Sequence, residues 1–186
     1  LRRSSAASDV YKRQAVRQAI SNGVFVISAA GNDGGSDDDG RVSTPSNVVE
    51  AISVGAFDDT GEIWDGSSLG EPLDGDGTNR EHPHMKPEIS APGVGIISTA
   101  YGGEYYSSTG TSDATVFVAG ILALILEAEP HIMNDTDVDC ITEVKLALKE
   151  SAIPINPDVE HDPRSGYGAV SGTGWLDEIR NSGACL

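Results

Sequence analysis

Apolar residues along this chain fall into short continuous runs separated by Gly- and Asp-rich loops, with longer stretches of helical spacing between them. Ala15 to Asn22 carries Val16, Ala19 and Ile20 at helical spacing and stops at Asn22-Gly23, a combination that ends helices. Val24-Phe25-Val26-Ile27 follows without a polar break, which predicts a strand covered on both faces of a parallel sheet. A turn at Pro45-Ser46-Asn47 leads to a second strand, Ala51 to Phe57. Ile89 to Ala91 and Val94 to Thr99 read as strands on either side of Pro92-Gly93. A helix of small and apolar residues runs from Ser112 through Ala128 and stops near Pro130; its composition predicts a buried core helix. Asp137 to Ser151 repeats the helical pattern through Val138, Ile141, Val144, Leu146, Ala147 and Leu148. Beyond it, Gly166-Tyr167-Gly168 and Trp175 punctuate a short C-terminal segment. Strands alternating with helices place the chain in the α/β class, with a mostly parallel sheet flanked by helices.

Residues 58 to 87 are loop-like, rich in Gly and Asp and broken by Pro72, Pro83 and Pro87. Neither an internal repeat nor a linker divides the chain, so one domain or a large part of one is expected. The first fourteen residues differ from the rest. They carry four basic residues (Arg2, Arg3, Lys12, Arg13) against the single acid Asp9. They resemble translated sequencing-adapter read-through, and residues 1–14 are read as a non-native segment. Residues 15–180 are then the domain and 181–186 a tail.

The formal net charge is −17, and without those four bases and one acid the remainder holds eight basic residues against 28 acidic ones. Binding to nucleic acid through phosphates needs a basic footprint and is excluded. The acidity suits a soluble surface, or high salt, where charge repulsion is screened over a few ångströms. Cys140 and Cys185 are the two cysteines; they permit one disulfide, which their spacing does not demand. No run approaches the roughly 18 apolar residues of a membrane span.

The candidate chemistry lies in two strings. Gly110-Thr111-Ser112 puts a serine at a sharp turn where the apolar helix begins. A serine hydroxyl needs a base to become a nucleophile, and its attack on a carbonyl builds an oxyanion that needs donors. A helix N-terminus offers unpaired N–H groups and a positive dipole end. Ser28-Ala29-Ala30-Gly31-Asn32 ends the first strand with a side-chain amide, a second candidate donor.

Four strings, in order, resemble the C-terminal half of the catalytic domain of a subtilisin-like serine protease (subtilase, peptidase family S8). They are Val26-Ile27-Ser28-Ala29-Ala30-Gly31-Asn32; Pro45 with Ala51-Ile52-Ser53-Val54-Gly55-Ala56; Lys86-Pro87-Glu88-Ile89-Ser90-Ala91-Pro92-Gly93; and Gly110-Thr111-Ser112 through Val118-Ala119-Gly120. The resemblance implies a three-layer subtilisin-like fold truncated at the N-terminus, with Ser112 as nucleophile and Asn32 as oxyanion donor beside the Ser112 N–H. It implies that Ala29, Ala30 and Gly31 border the pocket for the substrate side chain, with Ser43, Thr44 and Pro45 near its far wall, and that Ser67-Ser68 sits in a structural loop near the sheet edge. The expected substrate is a polypeptide, the expected location extracellular. No cofactor or catalytic metal is expected.

In the family the triad aspartate and histidine precede the oxyanion asparagine, and no residue before Asn32 matches either motif. The missing N-terminal half of the same domain is therefore the expected partner, and this chain alone is expected to be inactive. His82, His84, His131 and His161 all follow Asn32. His82-Pro83-His84 reads as a solvated surface pair and His131 as a partner of a helix C-terminus. Around the nucleophile, Asp113 stands where methionine is usual, and Val116 and Phe117 where proline and histidine are usual. These departures keep a second reading open, a catalytically inactive subtilase-like binding or scaffold module. Structural calcium is frequent in the family. Asp37 to Asp39 and Asp74-Gly75-Asp76 supply oxygens without a calcium-loop spacing, and are read as solvated loops.

Overall fold

A computed structural model describes residues 2–34, 40–73, 77–134 and 138–186. Its centre is a parallel three-stranded sheet in the order β1-β2-β3, formed by β1 (Ile27–Ala29), β2 (Ile52–Phe57) and β3 (Ile89–Pro92). The register pairs Ile27 with Ile52 and Val54 with Ile89. β2 is buried along almost its whole length, as expected of a strand with a partner on both edges and side chains packed on both faces.

Helix α1 (Arg2–Ile20) precedes the sheet and runs across the boundary placed at Ala15 without a break. The first strand is shorter than the apolar run suggests. Val24 and Phe25 stay outside the ladder, Val26 contributes only its carbonyl, which accepts from the Ile52 N–H at 2.8 Å, Val24 is half exposed, and β1 is only partly buried. Among the described residues its outer edge has no partner strand, which is why an uninterrupted apolar run fails to become a fully covered strand. The segment from Val94 onward also departs from expectation. β4 (Ile96–Thr99) leaves the sheet and pairs antiparallel with β5 (Tyr105–Ser108) as a separate exposed hairpin.

Helix α2 (Thr111–Ala128) packs on β2 and β3 through Ala114, Val118, Leu122 and Ile125, at intervals of four, four and three residues. That stripe is one helical face. The expected all-round burial does not hold, because Val116, Phe117 and Leu124 are exposed on the other faces. The helix has the length and apolarity of a bilayer span, but its buried face belongs to the core. Gly93 lets the turn before α2 approach the sheet: a Cβ there would sit 2.6 Å from the Ala56 Cβ and 2.7 Å from the Gly110 carbonyl oxygen.

After a 3-10 turn over Pro130–Asn134, α3 (Val138–Glu150) buries Ile141, Val144, Ala147 and Leu148. The C-terminal segment is itself a helix, α4 (Gly172–Ser182), which the sequence reading did not predict. Gly172 and Gly174 weaken the helical pattern, whereas Ser171 supplies the missed start by accepting from the Gly174 N–H at 3.2 Å. Trp175 is fully buried and donates its indole N–H to the Val144 carbonyl at 2.9 Å, locking α4 to α3. Gly183, left-handed at φ 67°, ends α4, and Cys185 then reaches α3 in a disulfide with Cys140.

Candidate active site at the start of helix α2

Parallel strands converge with their C-terminal ends at one edge, where loops gather the functional groups of α/β proteins. Asn32 lies three residues beyond β1, and Gly110-Thr111-Ser112 opens α2 above that edge. The N-cap of α2 is Gly110, which has no side chain to satisfy the first helical N–H groups. Asn32 does this from across the chain. Its Oδ1 accepts from the Thr111 N–H at 3.0 Å and from the Thr111 hydroxyl at 2.9 Å. A backbone N–H can only donate, so the amide oxygen must face Thr111. The Nδ2 group of Asn32 lies beside Gly110, where a Cβ would sit 3.1 Å from it, and among the described residues it has no partner, so it can donate to a substrate oxygen.

Thr111 is buried and holds the arrangement from below, since its Oγ1 also accepts from the Gly31 N–H at 3.1 Å. Gly31 has φ 119°, and a Cβ there would meet Ser68 Oγ at 2.6 Å, so only glycine fits the bend that brings Asn32 back to α2. Ser68 braces the same bend: its N–H donates to the Gly31 carbonyl at 2.9 Å and its Oγ accepts from the Asp33 N–H at 3.2 Å. Ser67 and Ser68 are both fully buried. Ser67 serves the sheet, its Oγ accepting from the Ala56 N–H at 2.8 Å.

Ser112 is exposed at the mouth of this arrangement. Among the described residues, neither its hydroxyl nor its backbone N–H has a partner. The N–H of Ser112 and the Nδ2 of Asn32 are thus two open donors at the positive end of α2. Asp113, the next residue, does not simply point at solvent: its carboxylate accepts from the Ser108 hydroxyl of β5 at 2.5 Å.

The other sequence-derived positions fall as follows. Ala29 ends β1; Ala30 is fully buried, with its N–H bonded to the Val54 carbonyl at 2.9 Å, so neither its methyl group nor its N–H is open to a substrate. Ser43 and Pro45 are exposed, and Thr44 donates to Asn47 Oδ1 at 2.9 Å. Ser46 ties this turn to β1 by donating to the Ser28 carbonyl at 3.2 Å. Asp37 to Asp39 and Asp74 to Asp76 lie outside the described residues. Among the described residues no group of three or more His, Cys, Asp or Glu side chains is placed to hold a metal. The roles of Thr111 and Ser108 carry no local sequence signal, although Thr111 sits inside Gly110-Thr111-Ser112.

All four histidines are engaged away from Ser112. His82 Nδ1 pairs with the Tyr167 hydroxyl at 2.8 Å, His131 Nε2 with the Ala184 carbonyl at 3.2 Å, and His161 Nε2 with the Pro87 carbonyl at 2.8 Å. His84 corrects the expectation of a solvated pair. It is largely buried, with Nδ1 3.0 Å from Lys145 Nζ, and burial with the nearby Lys145 ammonium holds its pKa down at about 4.

His84 borders an ionic cluster at the opposite, N-terminal ends of β2 and β3. Lys86 and Lys145 are completely buried and share one Glu88 oxygen, at 2.6 and 2.7 Å. Both also donate to the Ala51 carbonyl, and the second Glu88 oxygen accepts from the Ser53 N–H at 2.7 Å. Burial lowers the pKa of both lysines, against the pull of Glu88.

The chain is 38% identical over 130 residues to alkaline elastase YaB of Bacillus sp. (strain YaB), a match covering 70% of this chain and 30% of that protein. It is 39% identical over 119 residues to subtilisin NAT of Bacillus subtilis subsp. natto, covering 64% and 28%. The chain thus spans less than a third of the length of these relatives. Among solved structures it resembles the prenylagaramide maturation protease PagA, with a TM-score of 0.70 and 29% identity, over 92% of this chain and 56% of that one. The patellamide maturation protease PatA aligns with a TM-score of 0.69 at 27% identity, over 91% and 56%. The subtilisin-like fold follows from these likenesses, and because the subtilase family model matches residues 2–173, the chain belongs to the subtilase family, peptidase family S8.

Proposed function

We propose that the chain is the C-terminal part of the catalytic domain of a serine endopeptidase, with Ser112 as nucleophile. The observation that carries this reading is the Asn32 amide, its oxygen held by Thr111, beside the unpartnered N–H and hydroxyl of Ser112. In the reaction, a base removes the Ser112 proton as Oγ attacks the scissile carbonyl. The oxygen of the tetrahedral intermediate sits between Asn32 Nδ2 and the Ser112 N–H. Collapse expels the amine leaving group, and water hydrolyses the acyl-enzyme on Ser112. No cofactor enters. The base and its aspartate come from a segment that precedes Asn32 and is not in this chain; the engagement of all four histidines elsewhere supports this. Ala29 to Gly31 and Ser43 to Pro45 border the acyl-side pocket. The Cys140–Cys185 disulfide supports an extracellular location, where disulfides persist.

The test is hydrolysis of a fluorogenic peptide by the protein expressed from its complete reading frame. Ser112→Ala abolishes turnover. Asn32→Ala lowers kcat about 100- to 1000-fold with little change in KM, a magnitude that belongs to the equivalent donor in subtilisin rather than to a calculation on this chain. Thr111→Val, which removes the hydroxyl but keeps the N–H, costs less than Asn32→Ala. Peptide binding without hydrolysis by the wild type would instead favour the binding-module reading, which the Asp113 carboxylate beside Ser112 motivates.

A further inference from the structure

We propose that Ser68 is a positioning residue, which holds the oxyanion donor Asn32 in place through the two backbone groups that flank it. The inference rests on the serine-peptidase reading above and adds the support on which its oxyanion site depends. β1 and β2 pair as far as Ala29 and Val54, and the Ala30 N–H closes on the Val54 carbonyl. Beyond that point the chain turns away at Gly31, and the edge of β2 takes another partner. Ser67 and Ser68 fill the gap, one tied to each side. Ser67 Oγ accepts from the Ala56 N–H at 2.8 Å, and the Trp64 N–H donates to the Ala56 carbonyl at 2.9 Å. The loop is thereby fixed to the central strand of the sheet. Ser68 serves the other side, its N–H donating to the Gly31 carbonyl at 2.9 Å and its Oγ accepting from the Asp33 N–H at 3.2 Å. Gly66 adds a third tie by accepting from the Gly34 N–H at 3.0 Å.

Asn32 depends on these ties because its own backbone makes none. Among the described residues neither its N–H nor its carbonyl has a hydrogen-bond partner. Its side chain meets α2 only through Oδ1, at the Thr111 N–H and hydroxyl. Those contacts fix the direction of Nδ2 only while the backbone beneath them stays where it is. Ser68 is fully buried, so losing its hydroxyl leaves the Asp33 N–H without that acceptor in a place where water does not replace it. An oxyanion donor works only within a few tenths of an ångström of its place, and a misplacement of about 1 Å can cost about 100-fold in rate. The loss falls on the transition state, because the oxyanion does not exist in the bound substrate.

The experiment measures hydrolysis of one fluorogenic peptide by the protein from its complete reading frame, as wild type, Ser68→Ala, Asn32→Ala and the double variant. Ser68→Ala is expected to lower kcat about tenfold with little change in KM. In the Asn32→Ala background no side-chain donor remains to be positioned, and the same substitution is expected to change kcat by less than about twofold. A merely structural role lowers kcat by the same factor in both backgrounds, and that result overturns the proposal. An unchanged kcat in Ser68→Ala overturns it as well. If Ser68→Ala does not fold, Ser68→Cys, a weaker acceptor in the same place, is read in the same way. If the wild type cleaves no peptide, the peptidase reading falls, and positioning is read from NMR relaxation of the Asn32 side-chain amide nitrogen in asparagine-labelled protein. A lower order parameter in Ser68→Ala than in the wild type supports the positioning role, and an equal one overturns it.

Discussion

Single residues in this chain divide into those whose chemistry reads from the sequence and those whose role depends on what the fold sets against them. Ser112 and Asn32 are the candidates for the first kind, because a hydroxyl at a helix start and an amide at a strand end have little reason to be there unless paired or used. Thr111 belongs to the second. Its hydroxyl receives the Gly31 N–H and donates to Asn32, contacts spanning some eighty positions of sequence that no local pattern announces. His84 is of the same kind: its Pro-flanked, polar neighbourhood suggests surface, yet α3 brings Lys145 against it. This placement has a pH consequence. In the unfolded chain the imidazole protonates near pH 6.5, but in the folded protein only at about 4. Between those values the unfolded state takes up a proton that the folded state refuses, so stability is lost as pH falls from about 6.5 to about 4. Urea midpoints measured across this range decline in the wild type, and the decline is shallower in His84→Gln, which still offers Lys145 an acceptor.

Elements were legible where the burial matched the apolar spacing, on both faces of β2 and on one regular face of α3. β2 and α3 lie close to where apolar spacing puts them, and β3 differs only in its last residue. The pattern misleads where apolar residues extend beyond the side that is covered. β1 and α2 are as apolar as core elements, but the structure covers α2 on a single stripe and β1 on one edge. Apolar composition reports what an element is able to bury, and the partner that would cover the rest is not encoded locally. α4 was missed for the opposite reason: its two early glycines hide a helix that Ser171 starts and Trp175 anchors. The disulfide holds this last element in place by joining the first turn of α3 to Cys185, 45 residues later. A loop of that length adds about 3–4 kcal/mol through restriction of the unfolded chain. Replacing both cysteines with serine is expected to lower the unfolding free energy by up to that amount, and guanidinium titration of the two forms measures it.

For the molecule as a whole, charge dominates. A net charge of −17 on 186 residues sets carboxylates against one another over most of the surface, and such repulsion weakens the compact state. The surface ion pairs, such as Lys149–Glu160 and Arg180–Glu129, are too few to offset it and individually contribute little. Screening acts on the repulsion at every exposed site at once. The melting temperature is therefore expected to rise as NaCl is raised from low concentration toward about 1 M, where the Debye length is near 3 Å. A melting temperature that falls over this range would show that ion pairs outweigh repulsion. The acidity was legible from composition alone; the way the few cations are distributed was not, because two of the four lysines turn inward.

Burying Lys86 and Lys145 against one carboxylate leaves the outer surface almost without primary amines. Of the four lysines only Lys12 and Lys149 reach solvent, Lys149 incompletely and held by Glu150 and Glu160. Any reagent that seeks amines, whether an activated ester, an aldehyde-bearing resin or a bifunctional cross-linker, meets a nearly blank surface on the folded molecule. Attachment through lysine is confined to the first helix and the end of α3, so molecules coupled there share very few orientations.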